Sequence, residues 1–261
     1  MTEGSPMKLI LGFSVPLLGG YLFQQLYNLV DTMIVGQFLG VDALAAVGAT
    51  GSINFLIIGF CNGVCSGFAL PIAHRFGAKD YKTLRKLYAN SIWLSAIFAV
   101  IMTILTVAFC RPILTLMRTP ENIFEYSYQY IVIIFIGIPA TYLFNLTSGM
   151  IRALGNSRAP LIVLIVSSVL NVVLDLVFIL NFHMGVTGAA AATVLSQVIS
   201  GIACVIYIRK KVDMLQLSRD EWKMEKREML ELFNAGVPMG LQYSITAIGS
   251  VILQSAVNTL G

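Results

Sequence analysis

The chain has 261 residues, of which 57% are hydrophobic and 11% charged, against about 45 to 50% and about 25% in ordinary soluble domains. That balance excludes a water-soluble core. The formal charge of +4 does not point to nucleic acid, because the basic residues sit in links between apolar stretches rather than on one face, and the lipid bilayer is the partner they imply.

A spanning helix needs roughly 20 mostly apolar residues. About seven such stretches follow one another, over residues 9–39, 43–73, 87–110, 123–151, 159–180, 185–208 and 230–260. The expected fold is all-α, a polytopic helical bundle in the membrane. Lys8 alone precedes the first stretch, without the charged head, short apolar core and small-residue cleavage site of a signal peptide, so that stretch is expected to remain as a span. Pro16, Pro71 and Pro139 are candidate bend points, since proline removes a backbone donor and crowds the preceding turn. Gly59, Gly63 and Gly67 line one face at four-residue spacing, a pattern of close helix packing. Cys61, Cys65, Cys110 and Cys204 fall within or at the ends of apolar stretches and read as small apolar residues at helix contacts. His74 and His183 fall at a helix end and in a short link, where solvation is expected.

Positively charged loops stay in the cytoplasm. Fifteen of the 17 Lys and Arg residues lie at the amino terminus and in alternate links, and only Arg111 and Arg118 lie in the other set. The amino terminus is therefore expected to be cytoplasmic, in the plasma or inner membrane, with Arg152 and Arg158 counted among the cytoplasmic link charges. The link 209–231 is the one composition shift. Within it 218–231 mixes both signs at helical spacing, which predicts a solvated or interfacial helix. The expected organisation is an amino-terminal six-helix lobe over 1–208, a cytoplasmic linker over 209–229, and the first helix of a truncated second lobe over 230–261. Val15-Pro16 with Tyr21 and Leu39-Gly40 recur as Val237-Pro238 with Tyr243 and Leu260-Gly261, a sparse repeat of the kind transporters carry.

Of 13 acidic residues, only Asp31 and Asp175 lie well inside apolar stretches. An acid in mid-membrane is unfavourable by about 2.5 to 3.5 kcal/mol on insertion scales and usually faces a polar cavity or the bundle interior. Gln24, Asn28 and Asp31 share one helix face, as do Asn171 and Asp175. At about 1.5 Å per residue, both acids sit roughly 8 to 14 Å from the outer surface, and Thr193 falls at a similar depth. Two carboxylates, an amide and a hydroxyl at one level suit a proton or a hard cation such as sodium, and neighbouring carboxylates tend to keep one proton between them. The plainer alternative is that the acids only join helices. Gln24, Asn28 and Gln197 are candidate substrate-cavity residues. No phosphate-binding glycine loop, zinc-ligand cluster or nucleophile–base constellation is present, so neither an enzyme nor an ATP-driven pump is expected, and no cofactor beyond a coupling ion.

The stretch Asp31-Thr-Met-Ile-Val-Gly-Gln-Phe-Leu-Gly-Val-Asp-Ala-Leu-Ala-Ala-Val-Gly48 resembles the first helix and outer link of the multidrug and toxic compound extrusion (MATE) transporters. So do Arg152-Ala-Leu-Gly-Asn-Ser-Arg-Ala-Pro160, Asn171-Val-Val-Leu-Asp175 and Gly185-Val-Thr-Gly-Ala-Ala-Ala-Ala-Thr193. By that resemblance the chain is similar to the first six-helix lobe plus the seventh helix. The resemblance makes Asp31, Asn171, Asp175 and Thr193 the amino-lobe cation site and Pro16 the first-helix bend. It implies a secondary antiporter that expels bulky, often cationic drugs in exchange for protons or sodium, and that needs a second lobe to complete its cycle. This sequence departs in its length, and no acid occurs in the seventh stretch near the position echoing Asp31. A lipid-linked saccharide flippase of the same superfamily and a non-transporting membrane module are the alternatives.

Overall fold

The computed structural model describes residues 6–258, which are helical almost throughout and contain no strand. Among them the helices are α1 (Pro6–Leu39), α2 (Val41–Gly77), α3 (Tyr81–Ala108), the short α4 (Cys110–Leu116), α5 (Glu121–Ile136), α6 (Ile138–Ala153), α7 (Arg158–Leu176), α8 (Val186–Lys211) and α9 (Lys226–Asn258). A π turn, Val177–Asn181, extends α7. By length and composition α2, α3, α7 with its π turn, α8 and α9 can each cross a bilayer, and α5 with α6 forms a further span bent by 47°. The protein is a polytopic helical membrane protein.

Of the three prolines expected to bend helices, only Pro139 coincides with a break. It sits in the first turn of α6, just after the Gly137 junction where the span bends. There its missing N–H needs no helical partner. Pro16 and Pro71 lie inside α1 and α2 without interrupting either. All four cysteines are buried and unpaired, while His74 and His183 are exposed.

The link between α6 and α7 is written into its side chains. Gly155 takes φ 86°, a left-handed conformation that favours glycine. That lets Gly155 N donate to Arg152 O at 2.8 Å and Asn156 N to Ile151 O at 3.2 Å, closing the end of α6. Asn156 Oδ1 then accepts from Arg158 N at 3.2 Å and Ala159 N at 3.1 Å, capping α7. Its amide nitrogen donates to the Tyr207 hydroxyl at 2.9 Å, tying the link to α8.

The expected helix over 218–231 does not form as such. Residues Arg219–Trp222 make a single 3-10 turn, the chain then extends, and α9 begins only at Lys226. Three of the acids that looked like a solvated helix face are paired with other helices instead. Glu221 meets Arg85 at 2.6 Å and Glu225 meets Lys86 at 2.7 Å, both at the start of α3, and Glu231 meets Arg75 of α2 at 3.3 Å. Asn90 donates to Lys223 O at 3.4 Å and accepts from Glu225 N at 3.0 Å. Trp93 donates to Trp222 O at 3.1 Å, and the two indoles meet edge to face. The linker is a strap across the end of α3.

The strap's acids are poised to stay charged. The Lys86 ammonium holds the Glu225 carboxyl below the usual carboxylate range. At Glu221 burial pushes upward, but hydrogen bonds from Arg85 and Ser218 outweigh it and leave it low as well. A depressed carboxylate contributes stability that is complete above its unfolded value, about 4.3, and is lost as pH falls through the lower folded value. The strap should therefore hold across the neutral range and loosen only in acid. Glu221→Lys should release it, and trypsin should then cleave after Lys223 faster than in the parent at pH about 8. An unchanged rate would mean that the remaining contacts, Glu225 with Lys86, Asn90 with the strap backbone and Trp93 with Trp222, hold it without Glu221.

Candidate functional site: a buried acid cluster beside a polar cavity

Asp31 on α1, Asn171 and Asp175 on α7, and Thr193 on α8 converge inside the bundle. Asn171 and Asp175 are fully buried and Asp31 is 8% exposed. With the Asn171 amide oriented so that both its atoms find partners, its nitrogen donates to Asp175 Oδ2 at 2.8 Å and its oxygen accepts from Thr193 N at 3.2 Å. The two carboxyl groups lie within hydrogen-bonding reach of each other. Asp31 Oδ1 and Asp175 Oδ1 have no donor among the described residues. Such a cluster offers several oxygen atoms and a net negative charge to one small volume, which is the chemistry of a proton or hard-cation acceptor.

Two residues that sequence reasoning passed over belong to the same cluster. Tyr27 donates to Thr193 Oγ1 at 3.3 Å, and Tyr130 of α5, buried, interacts electrostatically with Asp31, Tyr27 and Asp175. Tyr27 is one turn before Asp31 and shares its helix face, a signal that was readable. Nothing in the spacing singles out Tyr130. The π turn begins two residues after Asp175, and such widened turns often accompany functional sites.

A cavity of about 190 Å³ opens beside the cluster. Pro16, Gln24 and Tyr27 line it from α1, Asn62 and Ser66 from α2, Thr141 and Arg152 from α6, Gln197 from α8 and Tyr243 from α9. Thr141 Oγ1 and Gln197 Oε1 are 2.7 Å apart, with the hydroxyl donating. Tyr27 belongs to both cavity and acid cluster. Of the expected cavity residues, Gln24 and Gln197 line it and Asn28 does not. Asn28 is exposed, and its amide donates to Gln25 at 3.5 Å. Arg152, counted from the sequence among the link charges, instead faces the cavity.

The MatE family model matches residues 16–177. The chain is 33% identical to "Probable multidrug resistance protein YoeA" of Bacillus subtilis (strain 168), over 95% of this chain and 55% of that protein. It is 30% identical to "Probable multidrug resistance protein YpnP" of the same organism, over 100% of this chain and 58% of that protein. Its fold is similar to the solved outward-facing conformation of a multidrug resistance MATE family transporter of the MOP superfamily, with a TM-score of 0.85 and 29% identity over 92% of this chain and 53% of that one. The chain thus spans little more than half the length of the curated relatives it matches.

Proposed function

The chain belongs to the MatE family, and we propose that it supplies the amino-terminal lobe and seventh helix of a secondary multidrug antiporter. The exported compounds are organic and often cationic, and the coupling ion is a proton or sodium. The protein sits in the cell membrane with its amino terminus in the cytoplasm, and a second lobe completes the transport cycle. One observation carries this reading: Tyr27 lines the cavity and also hydrogen-bonds Thr193 of the acid cluster. Ion and substrate sites that share a wall can exclude or favour one another. A ligand shifts a two-state equilibrium only through its different affinities for the two states. Cation binding at Asp31, Asn171, Asp175 and Thr193 favours the state that releases drug.

The test is dye efflux from vesicles that contain the chain joined to a complete second lobe, under separately imposed proton and sodium gradients. Efflux driven by one gradient and indifferent to the other supports antiport and identifies the ion. Efflux indifferent to both, or full efflux by the chain alone, would overturn it.

A further inference from the structure

Although Asp31 and Asp175 lie close by, neither lines the cavity, and among the described residues the only formally charged side chain that does is Arg152. Arg152 stands in the last turn of α6. Side chains at that position lean back toward the helix amino terminus, which here means into the bundle rather than out into the link. Among the described residues no carboxylate pairs with it. Its neighbours are neutral: Tyr21 and Tyr243, whose side chains are within hydrogen-bonding reach of each other, and the thiols of Cys65 and Cys204. Tyr21, Tyr27, Phe144 and Tyr243 give the cavity aromatic walls.

A half-buried guanidinium with five donors and no anionic partner leaves its charge uncompensated, and planar carboxylates match its donor fork. We propose that Arg152 is the anion-recognition residue of the cavity, binding the carboxylate of small aromatic substrates while the aromatic walls hold the ring system. This rests on the cavity being the substrate site. A zwitterion fits best, with its carboxylate on Arg152 and its cationic end toward Tyr27 and the acid cluster.

The test uses a small zwitterionic fluorophore, a coumarin bearing an alkylammonium group and a free carboxylate, and its methyl ester, a pure cation of nearly the same shape. Binding is read by fluorescence anisotropy to the purified chain in phosphatidylcholine nanodiscs. Arg152→Gln should weaken binding of the carboxylate dye by about tenfold or more, the loss expected for a charge-assisted hydrogen-bonded pair. Ester binding should be unchanged, and Arg152→Lys should restore part of the carboxylate affinity. Ester binding that persists also reports that the variant is folded. Equal loss of both dyes in both variants would make Arg152 a structural residue and overturn the proposal, as would no change, or no binding of the carboxylate dye to the parent. Displacement of that dye by a soluble short-chain phosphatidylglycerol at comparable concentration would assign the site to a lipid headgroup and overturn it too. Binding without export, once a second lobe is present, would sink the transport reading and leave the anion site standing.

Discussion

Asp175→Asn is expected to reduce gradient-driven efflux to background while leaving the protein inserted and at least as heat-stable as its parent. The substituted side chain keeps its shape, and its carbonyl can still accept the 2.8 Å hydrogen bond that Asn171 gives to Asp175 Oδ2. What disappears is the second negative charge that lets the cluster attract a cation. Stability should not suffer. One oxygen on each acid lacks a donor, and two carboxyl groups within reach of each other repel when both are ionised, so this is a poor device for joining helices. Replacing a buried charge by a neutral isostere that keeps the hydrogen bond is often neutral or stabilising. A gain of about 1 kcal/mol would raise the melting temperature by about 2 to 4 °C for a chain of this size. Asp31→Asn should act in the same direction. The measurement pairs vesicle efflux with thermal unfolding in detergent. A variant that loses efflux and stability together would demote the acids to structural residues, and retained gradient-driven efflux would remove them from the coupling machinery.

The spans and the acid cluster were legible because the membrane makes polar residues conspicuous. Asp31 and Asp175 stand out as the only acids deep in apolar stretches, and Asn171 follows from four-residue spacing on the same helix. Convergence of α1, α7 and α8 is a tertiary fact that depth could suggest but spacing could not supply, and Tyr130 reaches the cluster from α5 with no local mark. Arg152 was misplaced because charge counting treats a basic residue near a helix end as part of the link. Gly155 closes the helix three residues later, so Arg152 keeps helical geometry and leans back into the bundle. The strap misled in the opposite sense. Its alternating charges have helical spacing, yet their partners, Arg85 and Lys86, lie on α3, and pairing across elements leaves no periodic signature.

Gly67→Ala is expected to destabilise the bundle by about 3 kcal/mol, the upper part of the range for overpacking, whereas Gly59→Ala, on the same face two turns away, should cost nothing. The stripe Gly59, Gly63 and Gly67 meets α9, but not evenly. A methyl group at Gly67 would come within 2.5 Å of Ala235 O and Gly236 Cα, and one at Gly63 within 2.7 Å of Gly240 Cα and Met239 O. These are backbone atoms of another helix, which no rotamer change can move, and the optimum separation of carbon atoms is about 3.5 to 4.0 Å. The helices would have to part, opening the seam in which Phe68 and Leu232 are fully buried. At Gly59 the nearest atom is Tyr243 Cβ at 3.9 Å, an ordinary contact. There alanine's helix preference, worth about 1 kcal/mol over glycine, should prevail and give a small gain in stability. Tyr243 lies one turn beyond Met239 on α9, so displacement of that helix should also move a wall of the cavity and weaken dye binding in the Gly63 and Gly67 variants. Equal effects at all three glycines would mean that α2 and α9 are held by something other than this close backbone approach.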